Sequence, residues 1–265
     1  MTSYRELATS LQALGLERST PMLVHASLTA LGPVNGGVDT LLGALLASFD
    51  TVVVPVFTRR TLLIPEIGPS DNGIVYGSGR ISNTSAEFFR ADMPADRAMG
   101  ELSESLRRLP QASRSTHPAL SFAGVNATTI LAAQSLAEPL GPLQALSERG
   151  GWVLLLGLDH SANTALHLAE ALSGRKQFLR WALTPYGVLE CPNMPGCSQG
   201  FNAIAPRIRR ITRQVQIGET TAQAVPLNDL LSIARAWLAA EPLALLCEQP
   251  DCAQCQAVRQ QVVRV

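Results

Sequence analysis

Lysine is nearly missing from this chain: Lys176 stands alone, and arginine supplies the rest of the basic set. Charge of either sign is scarce. Charged residues make up 16% of the 265, and 21 Lys+Arg balance 21 Asp+Glu to a formal net charge of zero. Proteins that track a phosphate backbone draw affinity from an excess of cations, so nucleic-acid binding is excluded as a first reading. Long apolar runs are missing too. Thr51–Phe57 and Trp152–Leu158 reach only seven residues, whereas a membrane span needs about 20. The N-terminal segment sets Arg5, Glu6 and Arg18 around an amphipathic pattern. It has no apolar core followed by a small-residue cleavage site. The expectation is a soluble, cytoplasmic protein.

Other familiar signals stop short. No Walker A loop occurs, and Gly77-Ser78-Gly79 does not complete a dinucleotide fingerprint. No internal repeat or low-complexity tract appears. Five cysteines are an odd number for a disulfide framework and point instead to metal binding or free thiols.

What is present is a core. At 46% hydrophobic residues, 28.3 kDa and mean hydropathy +0.15, the chain is too apolar for disorder and large enough to bury a substantial interior. Residues 4–15 repeat Leu7, Leu11 and Leu14 at helical spacing, closed by Gly15. Met22–His25 reads as a short buried strand, 38–48 as a helix, and the β-branched run Thr51–Phe57 as a central strand buried on both faces. Further strands are expected at Ala119–Phe122, Trp152–Gly157 and Gln177–Leu183. Further helices are expected at 100–108, near 127–137, and at 162–172, 201–208 and 227–240. Strand–loop–helix–strand order is the signature of an α/β sheet with a mostly parallel centre. Residues 58–97 break the pattern with frequent Gly, Pro, Asn and Ser, so they are read as a long inserted loop. A single domain over 1–265, with a cysteine-bearing tail at 241–265, is the economical organisation.

The four histidines, His25, His117, His160 and His167, all fall at strand ends or helix starts, where α/β proteins gather ligands. His167 and Glu170 share one helical face at i, i+3 spacing, where a carboxylate fixes an imidazole tautomer for general-base work. The same spacing also describes an ordinary structural pair. Gly196-Cys197-Ser198-Gln199-Gly200 matches a nucleophile elbow, but Pro192 and Pro195 deny Ser198 the central strand such an elbow requires. Cys247-x4-Cys252-x2-Cys255, with Cys197 or Cys191 as a fourth thiol, offers the soft ligand set of a closed, structural zinc site. Scattered buried thiols are the alternative.

In order along the chain, several segments resemble the aminoglycoside 3-N-acetyltransferase (antibiotic N-acetyltransferase) family. They are Val24-His25-Ala26-Ser27-Leu28 with Leu31-Gly32 and Gly36-Gly37, Val54–Thr58, Met99-Gly100, Arg114-Ser115-Thr116-His117-Pro118, Leu154–Gly157, and Asn163-Thr164-x-x-His167-x-x-Glu170. The thiol-bearing tail resembles that of the family's apramycin-modifying branch.

The resemblance implies an α/β fold distinct from the GNAT acetyltransferases and an acetyl-CoA co-substrate. Ser27, Gly36, Gly37, Ser115, His117 and Thr164 would approach the coenzyme. His167, oriented by Glu170, would be the base that deprotonates the acceptor amine in a ternary complex. The acceptor would be a small-molecule amine and the protein a monomer or homodimer. One departure bears on the acceptor. Aminoglycosides are polycations, yet Arg175–Gly200 carries Arg175, Lys176 and Arg180 against Glu190, a net +2. A less cationic amine metabolite is therefore the first alternative. Hydrolysis at Ser198 and a non-catalytic CoA- or metal-binding role are alternatives of other classes.

Overall fold

The computed structural model describes residues 1–263. Its strands are β1 (Met22–Ala26), β2 (Val52–Pro55), β3 (Leu62–Leu63), β4 (Ala112–Arg114), β5 (Phe122–Val125), β6 (Trp152–Leu156), β7 (Phe178–Thr184), β8 (Gly187–Met194), β9 (Arg213–Ile217) and β10 (Thr220–Pro226). Seven of them form one sheet in the order β4-β5-β2-β1-β6-β10-β9, and β3-β7-β8 form a second, antiparallel one. In the large sheet β2, β1 and β6 pair in parallel. β5 and β10 run against the other five.

The parallel centre forms because its strands are apolar on both faces. Along β1, Leu23 packs on one side and Met22 and Val24 on the other. β6 divides in the same way, with Val153 and Leu155 opposite Leu154 and Leu156. This period-2 division of an unbroken apolar run is what burial between two helical layers requires. Three of the helices, α1 (Tyr4–Ala13), α2 (Leu28–Leu31) and α3 (Gly37–Ser48), belong to the N-terminal part. They are followed by α4 (Gly100–Arg107), α5 (Thr128–Leu131), α6 (Gly141–Glu148), α7 (Ala165–Leu172), α8 (Ala205–Ile208), α9 (Leu227–Ala240) and α10 (Ala253–Val263). Leu7 and Leu11 of α1, Leu41 and Leu45 of α3, and Leu102 and Leu106 of α4 cover one face of the sheet. Leu143 and Leu146 of α6, Leu166 of α7 and Leu230 of α9 cover the other. Truncating any of these leucines to alanine costs about 2–5 kcal/mol.

Several expectations shift. Residues 119–121 are buried but not strand: the Ala119 and Leu120 amides donate to the His117 ring, and β5 starts at Phe122. The helix expected near 127–137 is the single turn α5, after which the Gln134 amide ties the chain to the carbonyls of Leu120 and Pro139. The Pro-containing segment before Ser198 does form a strand, β8, but at the edge of the small sheet. Its register shifts between Phe178 and Arg180 of the partner strand, opposite Pro192. A proline is tolerated at such an edge irregularity. The 58–97 segment keeps its irregular character, contributing only short 3-10 turns and the two-residue β3 that pairs with β7. Among the described residues no helix is long and apolar enough to cross a membrane.

Candidate active site

A cleft of about 1020 Å³ opens at the carboxyl edge of the parallel strands. Its floor comes from the turns that leave β1, β2 and β6: Ala26, Ser27 and Leu28, then Pro55 and Phe57, then Leu158. Open α/β sheets place ligands at this edge because the diverging turns leave a crevice there. Thr164 and His167 close one side, with Pro195 and Ser198 beside them. Residues 94–105 and Arg108 supply most of the opposite wall.

His167 sits in the first turn of α7 and is 7% exposed. Its Nδ1 lies 3.0 Å from Glu170 Oε2, and the Phe201 ring meets it edge-on at 4.7 Å. A carboxylate only accepts, so Nδ1 carries the hydrogen and Nε2 keeps the lone pair that can take a proton. Glu170 is 3% exposed, and its other oxygen accepts from Arg175 Nη1 at 2.7 Å. A buried carboxylate without such a partner would be costly. On the cleft floor His25 is buried, and that burial lowers its pKa to about 4, so its ring is neutral near pH 7. Thr164 Oγ1 lies within hydrogen-bond reach of its Nε2.

The structure brings together only part of the set expected from sequence. Ser27, Thr164 and His167 line the cleft; Gly36, Gly37, Ser115 and His117 do not. Ser27 Oγ also caps α2 by accepting the Ala30 amide. Gly36, at φ +82°, forms the left-handed turn that starts α3, and a Cβ there would collide with the Thr40 hydroxyl. Val38, just beyond, is the residue of this segment that reaches the cleft. The Ser115 hydroxyl is held by the Phe122 backbone. His117 spends Nδ1 on two amides, and burial lowers its pKa to about 4. Arg114 donates to the carbonyls of Val56, Ala91 and Met93. The Arg-Ser-x-His-Pro segment thus lies outside the cleft lining, and His117 Nε2 is buried without a hydrogen-bond partner among the described residues. His25 is a lining residue that sequence alone singled out only by its place at a strand end.

Ser198 faces the cleft from a loop after the edge strand β8, and no hydrogen bond joins it to a histidine among the described residues. The elbow geometry is absent.

A group of four thiols lies behind the His167–Glu170 pair. The sulfurs of Cys197, Cys247, Cys252 and Cys255 are all within 4.8 Å of one another, with Cys247 and Cys255 3.4 Å apart. Tetrahedral zinc bonded at about 2.3 Å sets sulfurs about 3.8 Å apart, so the four thiols fit such an ion. Cys191 is elsewhere, buried in β8 with its thiol raised to about 11 by burial. Cys197 is therefore the fourth member.

Residues 23–239 match the profile of the family described as aminoglycoside 3-N-acetyltransferase. Aminoglycoside N(3)-acetyltransferase VII of Streptomyces paromomycinus is 38% identical over 180 residues, 63% of this chain and 59% of that protein. Aminoglycoside N(3)-acetyltransferase IV of a Salmonella species is 28% identical over 262 residues, 91% and 89% of the two chains. The chain spans 59–64% of the length of several of the curated relatives it matches, that Streptomyces protein among them. Among solved structures, the aminoglycoside acetyltransferase AAC(3)-IVa superposes with a TM-score of 0.79 at 26% identity, covering 98% of this chain and 97% of that one. A mutant of that enzyme in complex with a gentamicin gives the same score, identity and coverage. AAC-IIIb in a binary complex with CoASH gives 0.73 at 26% identity, covering 90% and 96%. A match over most of its length, with relatives aligned nearly end to end, places this chain in the aminoglycoside 3-N-acetyltransferase family.

Proposed function

We propose that the protein is an acetyl-CoA-dependent N-acetyltransferase that modifies the 3-amino group of an aminoglycoside-type acceptor. The observation that carries this reading is the buried His167–Glu170–Arg175 array on a cleft at the carboxyl edge of the sheet. A CoA-bound and a gentamicin-bound relative support both substrates.

A protonated amine has no lone pair with which to attack a thioester. His167 Nε2 takes one proton from the ammonium and so frees the lone pair that bonds to the acetyl carbon, and Glu170 stabilises the imidazolium that results. The tetrahedral species then collapses with loss of the CoA thiolate, which takes up the second proton that the nitrogen sheds in becoming an amide. Thr164 and Ser27, which flank His167 on the cleft, are the hydroxyls assigned to the thioester end. The cleft's arginines, Arg59, Arg97 and Arg108, offer cations for the coenzyme's phosphates. Acetyl-CoA is a cytoplasmic metabolite, so the reaction is assigned to that compartment. Residues 1–265 are read as one catalytic unit.

The four-thiol cluster is proposed to hold one structural zinc ion. Four protein ligands leave no position for water or substrate. The ion would supply ordering free energy to the tail rather than chemistry.

Acetyl-dependent release of free thiol, measured with a panel of aminoglycosides, tests the activity. Acceptor-dependent release is expected, and release that ignores the acceptor would overturn it. A second reading has its own observation. Two of the three acids on the cleft wall are already paired, Asp96 with Arg60 and Glu104 with Arg107 and Arg108. Such a lining favours an acceptor with fewer positive charges, so singly charged amines belong in the same panel.

A further inference from the structure

Arg175 follows α7 and the Gly174 turn, and its side chain is 6% exposed. One arm of the guanidinium donates to Glu170 Oε1 at 2.7 Å. The other donates to the carbonyls of Pro242 at 2.6 Å and Ala244 at 2.7 Å. Those carbonyls belong to the irregular stretch between α9 and Cys247, whose backbone groups have no helix or strand to satisfy them. The same stretch is fixed at its far end. Arg259 of α10 donates to the Cys247 carbonyl, and Gly200 packs so closely against the carbonyls of Leu245 and Leu246 that a Cβ could not enter. Glu170 and Arg175 share the lining of a small cavity with Cys197 and Cys255. The back of the His167–Glu170 dyad and the thiol cluster are thus two sides of one packed region.

From this geometry we infer that Arg175 is a positioning residue. Its guanidinium fastens the carboxylate that orients His167 to the backbone of the thiol-bearing tail, so that an ordered tail sets the geometry of the base. A guanidinium suits this role because its planar fork points donors in two directions at once. A lysine ammonium would keep the charge without the span. The inference rests on His167 acting as the base, and it adds a physical link between that base and a tail that reaches no substrate.

The test compares Arg175→Met, Arg175→Lys and the charge-free double variant Glu170→Gln/Arg175→Met in the full-length protein, with folding verified by circular dichroism. The double variant leaves no unpaired buried charge and serves as the control in which the dyad carboxylate is already gone, while Arg175→Lys, which keeps a cation beside Glu170, stays informative where Arg175→Met fails to fold. Two readouts are used. The first is the downfield proton resonance of His167 Nδ1–H, identified by its loss in His167→Gln and recorded without substrate. The second is acetyl transfer to gentamicin. The resonance should be sharp in the parent protein and broadened or lost in all three variants. The value of kcat should fall about 10–100-fold, the cost typical of losing a partner that orients a functional side chain. CoA affinity by calorimetry should stay within about twofold, since Arg175 does not line the cleft. Cys252→Ser, which alters the cluster at a half-exposed position, should lower kcat in the parent background and add little in Arg175→Met, because coupled sites are not additive. An unchanged resonance with kcat within about twofold in Arg175→Lys would overturn the positioning role. Equal losses from Cys252→Ser in both backgrounds, or none in either, would overturn the link to the tail. A parent protein with the resonance but no transfer to any amine would count against the proposed activity and leave this inference standing.

Discussion

Thr164 Oγ1 lies 3.3 Å from His25 Nε2, joining the residue before α7 to β1 across the floor of the cleft. The contact pins the entrance of the base-bearing helix to a strand that is itself paired on both sides. Both groups are uncharged near neutral pH, so the link survives desolvation when a substrate fills the cleft.

Replacing His167 with alanine should lower acceptor-dependent acetyl transfer by about 10²–10⁴-fold while CoA still binds. Glu170→Gln should cost less, since an amide still meets the ring but no longer stabilises its protonated form. Steady-state rates beside calorimetric CoA titrations check both. A His167→Ala protein that keeps most of its rate would remove the base assignment.

Ser198→Ala should leave transfer nearly intact, because the side chain lines the cleft from a loop and meets no histidine. Stoichiometric labelling of Ser198 by a phosphonofluoridate would contradict this.

Acid should destabilise the protein through its buried histidines. His25 and His117 have native pKa values lowered to about 4 by burial, against about 6.5 in an unfolded chain. Between those values the unfolded state binds the extra proton, so stability is full above about pH 6.5 and is lost as pH falls toward 4. His117→Asn keeps an acceptor for the two amides but removes the titration. The slope of Tm against pH in that window should therefore be shallower in the variant, and an identical slope would show that His117 contributes nothing.

Protein purified without added metal should contain about one zinc per chain by elemental analysis. Cys191→Ser should keep that metal and Cys247→Ser should lose it. Metal-free protein with all of its thiols freely titratable in the folded state would return the cysteines to simple packing.

What could be read in advance follows from how local each signal is. β1, β2 and β6 are unbroken apolar runs, and burial on both faces leaves that pattern in the sequence. The His167–Glu170 pair is written at helical spacing within four residues. Arg175 left no such trace, because its partners Pro242 and Ala244 lie 67 and 69 residues away and are backbone carbonyls. The hairpin of β9 and β10 escaped notice because β9, Arg213–Ile217, is a mostly exposed edge strand whose alternation offers only two apolar residues, Val215 and Ile217, alongside glutamines. The surroundings of His117 were hidden for a related reason. A histidine beside a strand looks the same whichever way its ring turns, and here Nδ1 accepts from two amides while Nε2 has no partner among the described residues. The choice between Cys191 and Cys197 turned on the irregular end of β8, which only tertiary folding decides.

The two sides of the cleft are built from different material. The floor is the rim of a closely packed sheet, where displacing one turn disturbs three strands at once. Much of the facing wall is the end of an irregular segment, held by ion pairs such as Arg60 with Asp96 and by the grip of Arg114 on Ala91 and Met93. The His167–Glu170 pair and the facing wall are thereby carried by separate stretches of chain. Substitutions at residues 94–97 can therefore redraw part of that wall without replacing a side chain bonded to His167 or Glu170.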